Sequence, residues 1–171
     1  MVVFAHPNSL TMIIGAVLAI LGEFFRYWGV AYAGSLTRVT GGVGAPEVIV
    51  AGPFAFVRNP LYLGNIVLYL GIGIMSNAVF PWLLLVAAAY FSFQYFQIVL
   101  LEEEFLRNTF GAVYEEFSNH VPRFIPRLSR YRNEVQDRQR PAWSAALRSE
   151  RRTLQAFGLV VIVLLILWLR N

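Results

Sequence analysis

The sequence predicts an all-α polytopic membrane protein with about four transmembrane helices. Hydrophobic residues make up 57% of the 171 residues and charged residues 14%, and the mean hydropathy is +0.56, so the chain is far less polar than a soluble domain. The apolar residues form blocks, and about 20 helical residues cross a hydrocarbon core of about 30 Å. The length fits one domain over residues 1–171. The first nine residues contain no lysine or arginine and the first apolar block is long enough to span a membrane, so we expect no cleavable signal.

The first apolar block covers residues 10–32, and Asn8 with Ser9 in front of it indicates a helix N-terminus. Glu23 and Arg26 interrupt the block and, being three residues apart, share one helix face. Two interpretations are open. The pair is either a functional site, as ionisable groups inside a span often are, or Arg26 extends to the membrane interface with Glu23 as its partner.

The next two apolar blocks, residues 61–75 and 81–101, are separated by the short connection 76–80 and predict a tight helical hairpin. The far ends of such a hairpin lie on the same side of the membrane. The polar loop that ends at Pro60 and the charged segment that begins at Glu102 should therefore meet at one membrane face.

The segment 123–152 is strongly basic, with nine arginines against three acidic residues, a local net charge of nine minus three, or +6. The positive-inside rule places it in the cytoplasm. Attraction to anionic lipid headgroups explains such a run without any catalytic role.

The last apolar block, residues 154–169, is short for a span but ends at Trp168 and Arg170, an aromatic and a basic interface anchor. We expect a fourth transmembrane helix here, with both chain termini on the non-cytoplasmic side. A re-entrant or interfacial helix is the alternative, although residues 157–169 have no polar face.

Two polar segments carry candidate chemistry: residues 52–64, in a loop rich in glycine, threonine and proline, and residues 102–114. The first supplies a cation, an amide, backbone groups and aromatic faces. The second begins with three adjacent carboxylates, which need a cationic partner. This inventory suits a zwitterionic nucleotide-like cofactor such as S-adenosylmethionine. A structural ion-pair cluster that closes the hairpin is the alternative.

These segments, together with Tyr114, Phe117 and residues 121–126, resemble the isoprenylcysteine carboxyl methyltransferase and phospholipid methyltransferase family, whose members share an Arg-His-Pro-x-Tyr motif and a Glu-Glu pair ahead of Phe-Gly. The similarity covers roughly residues 33–127. It implies a membrane methyltransferase with a cytosolic-side cofactor pocket, built from segments 34–60 and 102–128, in the inner or plasma membrane. Its substrate would be a lipid amine or an isoprenoid or prenyl carboxylate that enters laterally from the bilayer, methylated by direct transfer.

The resemblance also implies roles for individual residues. Those expected to bind S-adenosylmethionine are Val50, Gly52, Phe54, Arg58, Asn59, Pro60, Tyr62, Leu63, Glu102 and Glu103. Those expected to be catalytic are Glu102, Glu103 and Arg123. For an amine acceptor, one of the two glutamates would take up the proton. Glu104 has no clear counterpart in the family.

The sequence departs from the family at three positions. Pro46 and Asn59 stand where the family has histidine, and Phe54 stands where it has the tyrosine of a Gly-x-Tyr motif. An asparagine amide can replace an imidazole hydrogen bond, whereas proline cannot donate one. We therefore expect the cofactor site to be better preserved than the acceptor site.

No metal site is expected, because His6 and His120 are the only histidines, lie far apart in sequence, and the chain has no cysteine. No nucleic acid partner is expected either. Two other functions are kept open. One is a sterol-type NADPH-dependent membrane reductase, which shares an Arg-x-Pro-x-Tyr signature, and the other is a non-catalytic membrane scaffold subunit.

Overall fold

The computed structural model describes residues 4–34 and 47–170, and within these ranges all regular secondary structure is helical. Two short 3-10 helices, Gly52–Ala55 and Glu134–Asp137, lie in the connections. The five α-helices are α1 Ser9–Ala33, α2 Pro60–Ser76, α3 Trp82–Phe110, α4 Ala112–His120 and α5 Trp143–Arg170. The all-α fold predicted from the sequence is confirmed.

Three helices, α1, α3 and α5, are long and apolar enough to cross a membrane, and α2 is a shorter apolar helix of 17 residues. A helix of that length rises about 25 Å, somewhat less than the hydrocarbon core. The protein is an integral membrane protein, and the number of spans, predicted as about four, depends on α2.

Two helix boundaries differ from the prediction. The α3 helix continues nine residues beyond 101 and ends where Gly111 adopts a positive φ of 52°. The α5 helix begins at Trp143, eleven residues before the predicted start at 154, so the arginine-rich connector predicted over residues 129–153 is shorter than expected. In both cases the charged turns lie beyond the apolar block, and hydropathy marks the lipid-facing length of a helix rather than its hydrogen-bonded length.

Helices α1 and α2 are antiparallel and approach closely along a line of glycines. A Cβ atom added at Gly22 would lie 2.4 Å from the backbone nitrogen of Leu68 and 2.7 Å from the carbonyl oxygen of Gly64. Two turns away, a Cβ at Gly71 would lie 2.4 Å from the backbone nitrogen of Ala19. Small residues that let backbones approach are a common way to pack helices in membranes.

The two ends of the helix bundle differ in composition. At one end the His6 amide donates to the Ser76 carbonyl at 3.0 Å, and Met12, Met75 and Leu164 form an apolar cluster. The C-terminus of α1, the N-termini of α2 and α5, and the C-terminus of α3 lie at the opposite end. This second end, called the site face below, carries the polar loops.

Arg26 joins three helices below the site face. Its guanidinium pairs with Glu150 of α5, donates to Asn65 Oδ1 of α2 at 2.6 Å, and lies 3.5 Å from Glu23. The Arg26 side chain is buried, so the interpretation that it extends to the interface is wrong. No pattern in the sequence predicts Glu150 as the partner of Arg26. The contacts show that Arg26 connects α1 to α2 and α5, and a functional role of the Glu23–Arg26 pair stays a prediction.

Candidate active site

The hairpin of α2 and α3 brings the two polar segments together at the site face, as the sequence predicted. Arg58 precedes α2, whereas Glu103 lies near the end of α3, 45 residues later in the chain. The Arg58 Nη1 atom nevertheless lies 3.0 Å from Glu103 Oε2. The predicted encounter of these segments is confirmed, and the roles of their side chains in binding stay predictions.

Glu103 is the centre of this site, and three side chains donate to its carboxylate. Arg123 binds it with two parallel hydrogen bonds, Nε to Oε1 at 3.0 Å and Nη2 to Oε2 at 2.7 Å. Asn59 Nδ2 donates to Oε1 at 3.3 Å and also contacts the Arg123 carbonyl oxygen at 3.3 Å. Paired hydrogen bonds from a guanidinium fix both the position and the plane of a carboxylate.

The cluster of Arg58, Arg123 and Glu103 carries a net charge of +1. The Glu103 side chain is 3% exposed and that of Arg58 13% exposed, whereas that of Arg123 is 32% exposed. Arg58 Nε is buried and has no hydrogen-bond partner among the described residues. A buried donor without an acceptor is costly. The cluster therefore favours an anionic group as a further ligand.

The protonation of the groups around Glu103 is set by burial and by its charge. Burial raises the pKa of the Tyr114 phenol above its ordinary value, and the negative charge of Glu103 raises it further. The hydrogen bond to Glu103 raises the pKa of the Arg123 guanidinium. Tyr114 thus stays a neutral phenol hydrogen-bonded to Arg58, and Arg123 stays a cation, throughout the physiological pH range.

Glu102 faces a different neighbour from Glu103. It accepts a hydrogen bond of 2.6 Å from the Tyr62 hydroxyl of α2, and the Tyr62 ring packs against Tyr95 with centroids 5.0 Å apart. Successive helical residues point about 100° apart, so the two acids belong to different surroundings. Glu103 is held by cations, whereas the exposed Glu102 has a phenol beside it. Glu104 is also exposed.

The loop before α2 is packed against α4. Val50 is buried in a cluster with Tyr114 and Tyr131, and Phe54 packs against this cluster. At Gly52, where φ is 61°, an added Cβ would lie 2.3 Å from the Tyr32 ring. Glycine is therefore required here by both conformation and space. Pro46, one of the departures from the family, lies outside the described residues.

Three other residues predicted to bind the cofactor, Asn59, Pro60 and Leu63, lie at the start of α2. Pro60 is its first residue, a position where proline is favoured because its missing N–H has no helical partner. Asn59 is the N-cap, but its side chain binds Glu103 rather than the helix N-terminus. The Leu63 amide donates to the Asn59 carbonyl at 3.2 Å. Val50, Gly52 and Leu63 thus shape the loop and the first turn around the Glu103 cluster.

Two glutamines for which the sequence predicted no role hold the loop that precedes α2. Gln139 Oε1 accepts hydrogen bonds from the backbone amides of Val50 at 2.9 Å and Ala51 at 3.0 Å, and Gln136 Nε2 donates to the Val50 carbonyl at 2.8 Å. Both glutamines are buried. They lie in the arginine-rich segment, where polar side chains ordinarily indicate a solvated surface, and no pattern in the sequence distinguishes them.

The two histidines are far apart in the fold. His6 lies at the end of the bundle away from the site face, beside Ser76 and Asn77, whereas His120 ends α4. Among residues 4–34 and 47–170, no three or more histidine, cysteine, aspartate or glutamate side chains are grouped so that they could hold a metal ion.

Comparison with known proteins identifies the family to which the chain is similar. The chain matches the phospholipid methyltransferase family over residues 10–113, which include Arg58, Asn59 and the Glu102–Glu103 pair. Cobalt-zinc-cadmium resistance protein CzcN of Cupriavidus metallidurans is 30% identical over 132 residues, 77% of this chain and 55% of that protein.

A second relative is nickel-cobalt-cadmium resistance protein NccN of Alcaligenes xylosoxydans xylosoxydans. It is 28% identical over 121 residues, 71% of this chain and 51% of that protein. The chain therefore spans about half the length of the curated relatives it matches. No solved structure matches it.

Proposed function

The chain belongs to the phospholipid methyltransferase family, and on that premise we propose that it transfers a methyl group from S-adenosylmethionine to a lipophilic acceptor in the membrane. The observation that carries the proposal is the Glu103 cluster, in which residues from three separate parts of the chain meet at the end of the hairpin. Its net positive charge and the partnerless Arg58 Nε fit the carboxylate of an amino-acid cofactor.

In this proposal the residues around Glu103 bind and orient the cofactor. Arg58 and Arg123 hold the anionic part, and Glu103 keeps both guanidinium groups in place. The cofactor would supply an activated methyl group on a sulfonium. The protein's main contribution is then to align the acceptor atom with that group and to exclude water.

Glu102 is the better candidate to take up a proton from an amine acceptor, because Glu103 already accepts hydrogen bonds from two arginines and an asparagine. Glu102 faces Tyr62 alone among the contacts that the structure gives it. A carboxylate acceptor would need no base.

A lipophilic acceptor is supported by the space between α2 and α3. Near their connected ends they border a half-open apolar cavity of about 240 Å³, lined in part by Tyr69, Leu84 and Phe91. The Phe91 ring stacks on Tyr69 with centroids 4.7 Å apart and on Tyr95 at 6.3 Å. Through Tyr95 this row of rings reaches Tyr62 and Glu102. We propose that the acceptor enters laterally from the bilayer along this row.

The test of the proposal is cofactor binding to the purified protein in detergent. Calorimetry should show saturable binding of S-adenosylhomocysteine and none of NADPH. Tight NADPH binding would support the reductase, and binding of neither cofactor together with a stoichiometric partner would support a scaffold. Because both relatives are named for metal resistance, lipids of producing and non-producing cells should be compared with and without added cobalt, zinc or cadmium to identify the methylated product.

Asn59 offers a graded test of the cofactor site. Replacing Asn59 by leucine removes the amide that donates to Glu103 and to the Arg123 carbonyl, and we expect a loss of about 1–3 kcal/mol, or about 5- to 150-fold in S-adenosylhomocysteine affinity. Asn59→His restores a donor and should keep most of the affinity. Equal affinity of the leucine variant and the natural protein would show that this amide does not support cofactor binding.

The orientation in the membrane can be tested with single cysteines, because the natural chain has none. We propose that the site face and the arginine-rich segment are cytoplasmic, in the inner or plasma membrane, where that segment meets anionic headgroups. Arg132→Cys should react with an impermeant reagent only from the cytoplasmic side, and Asn77→Cys and Asn8→Cys only from the other. Reaction of position 132 only from outside would reverse the orientation.

A further inference from the structure

The turn that follows Arg123 exposes two large apolar side chains. Ile125 is 80% exposed and Leu128 is 102% exposed, the highest values of any large hydrophobic residue in the described ranges. Neither lies on a helix. Burying a side chain of this kind contributes about 1.5–3 kcal/mol. Residues 124–130 are called the tip loop below.

The tip loop is held at its base by backbone hydrogen bonds to the loop that precedes α2. On one side the Arg58 amide donates to the Pro122 carbonyl at 2.9 Å, and on the other the Tyr131 amide donates to the Ala55 carbonyl at 2.9 Å. The side chain of Arg127, in the loop, donates to the carbonyl of His120 at the end of α4 at 2.8 Å and to Ser129 Oγ at 3.1 Å. These bonds fix the loop in a shape that keeps Ile125 and Leu128 on the outside.

The tip loop also lies against the lipid-facing side of a membrane helix. The Phe124 ring contacts the Phe96 ring of α3 at 6.4 Å, and the Arg123 guanidinium lies 5.7 Å from the same ring. Phe96 is exposed, as is Phe93 one turn away. Phe96 precedes Glu103 by seven residues, which places it about 10 Å farther along the helix, towards its apolar middle. After α4 the chain therefore packs back against the apolar part of α3.

The charges beside the tip loop complement a membrane surface. Arg130 is the last residue of the tip loop and Arg132 follows it, and both side chains are exposed. Apolar side chains flanked by arginines are typical of segments that insert into the boundary between headgroups and acyl chains.

We infer that the tip loop is a membrane-inserting loop, with Ile125 and Leu128 among the acyl chains of one leaflet and Arg130 and Arg132 on anionic phospholipid headgroups. Because Arg123 immediately precedes the tip loop and binds Glu103, the same segment of chain connects the leaflet surface to the candidate active site. The inference rests on exposure, backbone bonding and the contact with α3, and it holds whether or not the chain is a methyltransferase.

Spin labels at single cysteines test the depth of the tip loop. The full-length protein carrying Ile125→Cys or Leu128→Cys would be labelled with a nitroxide and placed in phosphatidylcholine nanodiscs. Collision rates with oxygen, which is enriched in lipid, and with a nickel chelate, which stays in water, are then measured. Ile162→Cys on the exposed side of α5 is the lipid control, and Asp137→Cys, an exposed position at the end of the 3-10 helix Glu134–Asp137, is the water control.

The inference requires both tip labels to resemble position 162, with collisions shifted towards oxygen. Labels that match position 137 would overturn it, as would labels shielded from both reagents, since a protein partner would then cover the loop. Adding phosphatidylglycerol should shift both labels farther towards oxygen. That extra shift should disappear in Arg130→Gln/Arg132→Gln. Its persistence in that variant would overturn the headgroup contact.

Discussion

Replacing Glu103 by alanine is expected to cause the largest loss of any single change at the candidate active site. The substitution leaves two guanidinium groups and the Asn59 amide without their shared acceptor. Breaking a buried ion pair costs about 3–5 kcal/mol, and because the Arg123 side chain is one-third exposed we expect about 3 kcal/mol in unfolding free energy. Affinity for S-adenosylhomocysteine should fall about 100-fold or more.

Thermal unfolding in detergent and calorimetry measure these two effects separately. Glu104→Ala is the matched control, since this neighbouring carboxylate is exposed on the same helix. Glu103→Gln, which keeps an acceptor oxygen but not the charge, should fall between the natural protein and the alanine variant, and it serves if the alanine variant does not fold. Natural stability and natural affinity in both Glu103 variants would show that the cluster is neither structural nor part of a cofactor site.

Replacing Gly22 by alanine is expected to disrupt the contact between α1 and α2. The added Cβ atom would lie 2.4 Å from the Leu68 backbone nitrogen and 2.7 Å from the Gly64 carbonyl oxygen, and backbone atoms cannot move aside as a side-chain tip can. Overpacking costs about 1–3 kcal/mol and occasionally more. Alanine is the better helix former by about 1 kcal/mol, so a loss of stability would be due to the steric clash.

Gly158→Ala on α5 is the control, because an added Cβ there meets nothing within 4 Å. It should leave the unfolding temperature unchanged or raise it slightly, whereas Gly22→Ala should lower it, and Gly22→Leu should lower it further. If Gly22→Ala unfolds at the natural temperature, the two helices do not approach as closely as the structure shows.

The hairpin and its consequence could be predicted from the sequence because they depend on strong local signals. Two apolar blocks separated by five residues leave few alternatives, and the meeting of Arg58 with Glu103 follows from that connection alone. The end of α3 could not be predicted in the same way. Six of the eight residues 102–109 are polar, and a helix that leaves the membrane loses its hydropathy signal while keeping its backbone hydrogen bonds.

Other parts of the site depend on tertiary contacts that leave no local pattern. Arg123 reaches Glu103 only after the chain has turned at Gly111 and passed through α4. Gln136 and Gln139 resemble solvated residues until the loop before α2 packs against them. Glu150 is separated from Arg26 by 124 residues, and at the sequence level it looked like one more surface charge among arginines.

The buried Arg26 cluster has a consequence for how the protein is made. Synthesis runs from the N-terminus, so α1 is complete long before Glu150 is translated, and Arg26 enters the bilayer without its later partner. Glu23, one turn earlier on the same helix, lies 3.5 Å from the Arg26 Nε atom. The first helix therefore carries its own counter-ion during insertion. Glu150 pairs with the Arg26 guanidinium once α5 has been synthesised. A chain that ends before α5 would have a first helix with no net charge, but that helix would lack its ion pair to α5.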